Sequence, residues 1–171
     1  ESRGNSVGLG LAEFCRSQLL RDTNFDAVRL NAMVAGHIAA AMPPIDYETE
    51  DDERTKRAHW VASVAMAINN ASLSSSIYVV LVGSAGSLAP AVGFSQKAAR
   101  RLVSGYMLID AELPTVGGAH EDWPDAPVVY VHSEQIDQLN VNQARLRGWQ
   151  TIDAGATDLM QVIAQVISDR I

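Results

Sequence analysis

The stretch Ile77–Gly83, which reads IYVVLVG, constrains the fold of this chain more than any other segment. It is a continuous apolar run, which is typical of a strand that is buried on both of its faces. Strands of this kind occur in parallel sheets that helices cover on both sides. Gly and Ser dominate the letters that follow, GSAGS at Gly83–Ser87, and they suit the backbone of a tight turn. The sequence therefore predicts a buried parallel strand that runs into a sharp turn.

Strands and helices alternate along the rest of the chain, which is the pattern of an α/β protein. We expect a mostly parallel open sheet with helices on both faces, formed by residues 1–171 as a single domain. The 171 residues, of which 47% are hydrophobic, suit one core. The predicted helices are Leu11–Asp22, Thr55–Asn69, Phe94–Leu102, Ile136–Arg147 and Asp158–Ile171, and the predicted strands are Phe25–Leu30, Ile77–Gly83, Ser104–Pro114, Ala126–Ser133 and Trp149–Gly155.

Charge and cysteine content indicate which partners are disfavoured and which compartment the chain fits. Thirteen basic and 20 acidic residues give a net charge of −7, which disfavours nucleic acid and anionic membranes. Tyr47–Glu53, YETEDDE, carries five of the carboxylates and is interpreted as a solvated segment ahead of a helix. Cys15 is the single cysteine, so the chain has no internal disulfide and fits a reducing compartment, for which we expect the cytoplasm. The chain has neither an apolar run long enough to span a bilayer nor a signal-peptide pattern at its start.

Several segments resemble small bacterial α/β-hydrolase-like proteins in order and in approximate spacing. They read VVLVGSAGSLAPAV, VSGYMLIDAELP, DWPDAPVVYVHS, ARLRGW and TIDAGATDLMQVIAQVI, and the resemblance covers most of the chain. Asn5–Phe14, NSVGLGLAEF, resembles the loop that follows the first strand of that family and lends an amide to the oxyanion hole. The resemblance implies that Leu9 and Gly10 contact a ligand. Only Glu1–Gly4 precede this loop, so we expect the chain to lack the family's first strand, with another segment or chain filling the gap.

Three departures from the family argue against hydrolysis. The nucleophile motif G-x-S-x-G corresponds to Gly83–Ser87, where Ala85 stands at the nucleophile position and Ser87 replaces the last glycine. The family's histidine precedes the last helix, but Gly155–Asp158 reads GATD. The helical lid is reduced to Thr115–Asp122, TVGGAHED, so the cleft is expected to be open to water unless a partner covers it. We therefore expect a non-hydrolytic protein.

The remaining polar residues leave alternatives open. Asp110 matches a recurrent aspartate of the family, and its alternative is a strand-end residue bonded to local amides. His120 and His132 are acid–base candidates because imidazole titrates near neutrality, although surface histidines are often merely solvated. Ser84 and Ser87 are rival nucleophiles, or serve turn geometry alone. The residues expected to contact a ligand are Leu9, Gly10, Ser84, Ala85, Gly86, Ser87 and Trp123.

The linker Thr115–Trp123 is expected to lie over the rim of the cleft, beside the Gly83–Ser87 turn. In this prediction the glycine pair of the linker lets it bend, and His120 or Trp123 points toward the turn. The alternative is a solvated connector whose Trp123 packs against the PVVYV strand for stability only. No histidine pair has metal-ligand spacing and no GxxxxGK loop is present, so neither a metal nor a cofactor is expected.

These observations support more than one function. The first is a biosynthetic enzyme that promotes cyclisation, isomerisation or epimerisation of a small apolar intermediate by positioning it. The second is a pseudoenzyme that binds a small molecule or a protein partner, and a homodimer would cover the cleft. The third is a hydrolase that uses Ser84 or Ser87.

Overall fold

The computed structural model of the 171-residue chain describes residues 9–12, 39–41, 52–70, 76–133, 138–155, 157 and 159–170. These residues form a parallel sheet with helices packed against it. The strands are β1 Leu9–Ala12, β2 Ala39–Ala41, β3 Ser76–Val82, β4 Leu102–Ile109, β5 Val128–His132 and β6 Gln150–Asp153. The α-helices are α1 Glu53–Asn70, α2 Ala89–Ala98, α3 Gln138–Leu146 and α4 Leu159–Arg170, and a 3-10 helix, Gly83–Leu88, joins β3 to α2.

All strand pairs of the sheet are parallel, in the order β2-β1-β3-β4-β5-β6. Val82 pairs with Ile109, which pairs with Val131, and Val131 pairs in turn with Ile152. The carboxyl ends of β3 to β6 therefore lie level at one edge of the sheet. This edge is where ligands bind in open α/β sheets, and it is the natural place to look for a site.

Alternate residues of the strands build two separate cores, one on each face of the sheet. Tyr130 and its neighbours pack with α1, α2 and α3, whereas Val129 and Val131 pack with α4. Trp60 of α1 is fully buried in the first core, and Ile163 of α4 is buried in the second. Because both faces are covered, β3 has no polar face, which is the reason for its continuous apolar run. The predicted α/β class, with helices on both faces, is confirmed.

The beginning of the chain differs from the prediction. The helix expected from Leu11 is wrong at its start, because Leu9–Ala12 is a strand with parallel neighbours on both sides. Leu9 and Gly10, expected in a loop, lie within this strand, which pairs with β3. The expectation that the chain lacks the family's first strand stays a prediction. An apolar run of four residues carries too little periodicity to separate helix from strand, and pairing within the sheet decides it. The predicted strand Phe25–Leu30 and the segment Glu1–Gly4 lie outside the described residues.

The helix after the turn also begins earlier than predicted. It spans Ala89–Ala98 and not Phe94–Leu102, because Pro90 in its first turn suits a helix start. Arg100, with a φ of 57°, ends the helical path, and β4 begins at Leu102 and ends at Ile109, earlier than the predicted Pro114. The other predicted elements that lie within the described residues agree with the observed ones to within two residues at each end. No described helix combines the length and the apolar character needed to cross a lipid bilayer.

Candidate ligand site at the carboxyl ends of the strands

The turn after β3 places Ala85 in the core. The backbone enters the left-handed region at Gly83, with a φ of 63°, and then forms the 3-10 helix. Ala85 is 0% exposed and belongs to the core shared with α1 to α3. The position that the resemblance assigns to a nucleophile thus carries a methyl group that lies in the protein interior. Its contact with a ligand stays a prediction, and in this conformation the turn would have to open for it.

Gly86 is required because the segment after β4 packs directly against the turn. A Cβ at Gly86 would lie 2.5 Å from both the Ala111 Cβ and the Glu112 carbonyl oxygen. The amide of Glu112 also donates a hydrogen bond to the carbonyl of Gly83 at 3.0 Å. The residues that follow β4 therefore close one side of the turn.

The two serines of the turn have different surroundings. The Ser87 hydroxyl donates a hydrogen bond to the carbonyl of Ser84 at 2.8 Å, which is the turn-stabilising role that the sequence left open. The Ser84 hydroxyl is buried and has no hydrogen-bond partner among the residues that the structure describes. Leaving a buried hydroxyl without a partner lowers the stability of the fold by about 1–3 kcal/mol. Ser84 therefore carries an unused hydrogen-bond donor at the strand ends.

Asp110 directly follows β4. Its backbone φ is 44°, a value that residues other than glycine seldom adopt. Its amide donates to the carbonyl of Val131 at 2.9 Å, and its carboxylate Oδ1 accepts from the amide of Ser133 at 2.8 Å. These contacts match the interpretation of Asp110 as a strand-end residue bonded to local amides. The carboxylate fixes the path of the chain as it leaves β5.

His132 is the last residue of β5 and is buried, with 6% of its surface exposed. Its carbonyl accepts a hydrogen bond from the amide of Ala154 at 2.8 Å, and Asp153 is its partner in the register of β6. The structure therefore brings His132 to the same edge as Asp110 and the turn after β3, as expected.

His120 lies elsewhere, on the outer side of α2. Its ring stacks on Phe94, with ring centroids 4.8 Å apart. Lys97 binds the carboxylate of Asp122 at 3.2 Å, and this exposed contact lowers the pKa of that carboxyl group. The described contacts of the linker thus run along α2, so the prediction that His120 points toward the Gly83–Ser87 turn is wrong.

Trp123 fills a slot between α2 and the sheet. Its ring contacts Tyr106 and Trp149 edge to face, with centroids 5.3 Å and 5.7 Å away. The slot exists because Gly93 has no side chain, since a Cβ there would collide with the Tyr106 hydroxyl. The space left beneath the linker is about 10 Å³, at most room for about one water. Trp123 therefore packs for stability, as in the alternative interpretation, against the core that contains Val128 and Tyr130 of the PVVYV strand, and its ring contacts are Tyr106 of β4 and Trp149.

The Tyr106 hydroxyl is the polar centre of this slot. It donates a hydrogen bond to Asp125 Oδ1 at 2.9 Å. Burial, reinforced by the hydrogen bond and the charge of Asp125, raises the pKa of Tyr106 well above its ordinary value. Sequence reasoning missed this arrangement, although a glycine inside a helical pattern, here Gly93, is a known sign of close packing.

Two other observations bear on the site. A groove of about 630 Å³ lies at the outer edge of the sheet, between β6 and α4, with Ile152 and Val162 among its apolar walls. It is separate from the turn after β3 and was not predicted.

Within the ranges that the structure describes, no group of three or more His, Cys, Asp or Glu side chains is arranged to hold a metal ion.

Comparisons with known proteins bear on the fold alone. No protein-family model matches the chain. No curated protein matches it either. Among solved structures, the chain is similar to the crystal structure of ESTFA in its iron-lacking apo form, with a TM-score of 0.55 and 11% identity over 99% of this chain and 77% of that chain. At this identity the likeness supports the α/β fold and carries no statement about activity.

Proposed function

We propose that this chain is a non-hydrolytic protein of α/β-hydrolase-like architecture that binds a small molecule at the carboxyl ends of β3 to β6. The observation that carries the proposal is Ala85, fully buried at the position where a hydrolase presents its nucleophile. A turn that leads from a buried parallel strand directly into a helix is the hydrolase arrangement, and it supports the architecture. Gly155–Asp158, where the family carries its histidine, contains none, which supports the loss of hydrolysis.

Uncharged or cationic ligands fit this edge better than anions do. Asp110 and Asp153 both lie at the strand ends, and the chain carries a net charge of −7, so an anionic ligand would be repelled. The buried hydroxyl of Ser84 would donate a hydrogen bond to a ligand carbonyl or hydroxyl if the turn opened. Homodimer formation and a cytoplasmic location stay predictions.

A second candidate is the biosynthetic enzyme that promotes cyclisation, isomerisation or epimerisation. The buried imidazole of His132 favours it, because such reactions need a group that moves protons and do not need a covalent nucleophile. Hydrolysis through Ser84 or Ser87 has less support, because Ser87 bonds to the turn itself and no described base contacts Ser84.

The purified protein is expected to resist labelling by a fluorophosphonate. It is also expected not to accelerate the hydrolysis of p-nitrophenyl acetate above the rate in buffer. Neither reagent can react stoichiometrically without an activated serine. Intact mass spectrometry measures the labelling, with an active serine esterase treated in parallel as the positive control. Stoichiometric labelling that survives in Ser87→Ala but disappears in Ser84→Ala would overturn the proposal in favour of a hydrolase.

Ligand binding is tested separately with a library of neutral fragments observed by amide NMR. Binders are expected to shift the amide signals of Ser84, Asp110 and Ser133, because these residues surround the strand ends. Shifts confined to Ile152 and Val162 would instead place binding in the groove between β6 and α4 and would contradict the proposed location.

A further inference from the structure

His132 is a buried titratable side chain that the contacts of the fold do not use. Its imidazole makes no hydrogen bond or ion pair with any described residue. Gln96 is the other buried polar side chain in the described residues, and it has two hydrogen-bond partners. Its amide oxygen accepts from Arg101 at 3.0 Å, and its amide nitrogen donates to Ser95 at 3.3 Å. The ring nitrogens of His132 do not belong to the fully buried polar atoms that lack a partner, so they reach the surface at the strand-end edge, and a ligand there could contact them.

Two carboxylates lie level with His132 on the neighbouring strands. Asp153 is its register partner on β6, and Asp110 follows β4 on the other side. Each carboxylate has one oxygen engaged by a backbone amide: Asp110 accepts from Ser133 at 2.8 Å and Asp153 from Gly155 at 2.9 Å. The second oxygen of each makes no hydrogen bond with a described residue and is available to a neighbouring charge.

Strand alternation places His132 and Asp153 on the same face of the sheet. Tyr130 packs into the core beneath α1, α2 and α3, and His132 follows it by two residues. Ile152 packs against the opposite core, so Asp153, one residue later, lies on the face of His132. The imidazole is thus flanked across the strands by two carboxylates.

We propose that His132 is a proton-transfer group, with Asp110 and Asp153, which flank it on the neighbouring strands, as positioning residues that orient the imidazole. The inference rests on the proposed function, because it requires a ligand at the carboxyl ends of the strands. The two carboxylates disfavour an anionic substrate, and a proton-transfer group needs a substrate with a removable proton, so the substrate class that we propose is a carbonyl compound without negative charge that has a hydrogen on the adjacent carbon. An imidazole can remove such a proton near neutral pH.

The chemical step conserves atoms and electrons within the substrate and His132. The unprotonated ring nitrogen takes the proton from the carbon beside the carbonyl. The electron pair of the broken C–H bond forms a C=C bond, and the carbonyl π pair moves to oxygen, which gives an enolate whose charge is balanced by the adjacent imidazolium. The imidazolium then returns a proton to carbon, on the other face or at a neighbouring position, which epimerises or isomerises the substrate without an oxidant or a reductant.

The test follows deuterium incorporation from D₂O into two neutral probes, acetoin and cyclohexanone, by proton NMR. The wild-type protein is expected to accelerate exchange at the carbon beside the carbonyl at least tenfold over buffer that contains an equal concentration of free imidazole. His132→Gln is expected to return the rate to that background. Asp153→Asn is expected to lower the rate about tenfold, and Asp153→Glu to restore most of it. His59→Gln, which changes an exposed histidine of α1, is the matched control and is expected to exchange like the wild type.

Thermal unfolding verifies that each variant is folded. If His132→Gln does not fold, carbethoxylation of the wild-type protein at His132, located by mass spectrometry, must abolish the exchange. Wild-type rates in His132→Gln, or no exchange of either probe by the wild type, overturn the inference. The proposed function survives that outcome if fragments still shift the amides of Ser84, Asp110 and Ser133, and it fails independently if a fluorophosphonate labels Ser84.

Discussion

Gly86→Ala is expected to lower the free energy of unfolding by about 3 kcal/mol, because the added methyl group has no room. Its carbon would lie 2.5 Å from the Cβ of Ala111 and from the carbonyl oxygen of Glu112, one of which is backbone and cannot rotate away. Relief requires the segment after β4 to move off the turn, at the expense of the hydrogen bond from Glu112 to Gly83. Urea denaturation followed by circular dichroism measures the change as a lower midpoint with an unchanged slope.

Gly118→Ala is the matched control for this substitution. Gly118 is exposed in the linker, and a Cβ there would meet only the carbonyl oxygen of Thr115, at 3.4 Å. Its effect on the free energy of unfolding is expected to stay within about 0.5 kcal/mol. Equal stability of Gly86→Ala and Gly118→Ala would mean that the segment after β4 does not press on the turn. The space above Ala85 would then be open, and the turn would be a better ligand site than its packing indicates.

The spacing of apolar residues predicted the helices and strands that bury a regular set of their own positions. The apolar run of β3 and the face of α1 that contains Trp60, Val64 and Ile68 are visible in the sequence because each buries a regular set of positions. Pairing across the sheet decides β1, where Leu9–Ala12 is too short to carry a period of its own. A strand whose identity depends on its neighbours is not readable from its own letters.

The site was predictable in its position but not in its packing. The turn after β3, Asp110 and His132 all lie at the carboxyl ends of parallel strands, as the alternation of elements implied. The close packing at Gly86 depends on the segment after β4, which is remote in sequence from the turn. His120 was placed wrongly because the route of a linker depends on the surface that it meets, here the exposed ring of Phe94 on α2.

Trp123→Ala is expected to lower the free energy of unfolding by about 2–3 kcal/mol, less than a fully buried tryptophan because the residue is half-buried. The substitution removes edge-to-face contacts with Tyr106 and Trp149 and empties the slot above Gly93. Thermal and urea unfolding measure the loss. Val116→Ala, at a linker position that is 79% exposed, is the control and is expected to change stability by less than about 0.5 kcal/mol.

The comparison of Trp123→Ala with His120→Ala separates a structural linker from a cover over the ligand site. His120 stacks only on Phe94, which is itself 58% exposed, so His120→Ala is expected to cost about 1 kcal/mol or less. Neither substitution should alter deuterium exchange of acetoin in molecules that remain folded, because the described contacts of both side chains lie away from His132. A fall in exchange with unchanged unfolding would show that the linker reaches the strand ends during turnover. That result would support the prediction that the linker covers the ligand site, which its packing on α2 argues against.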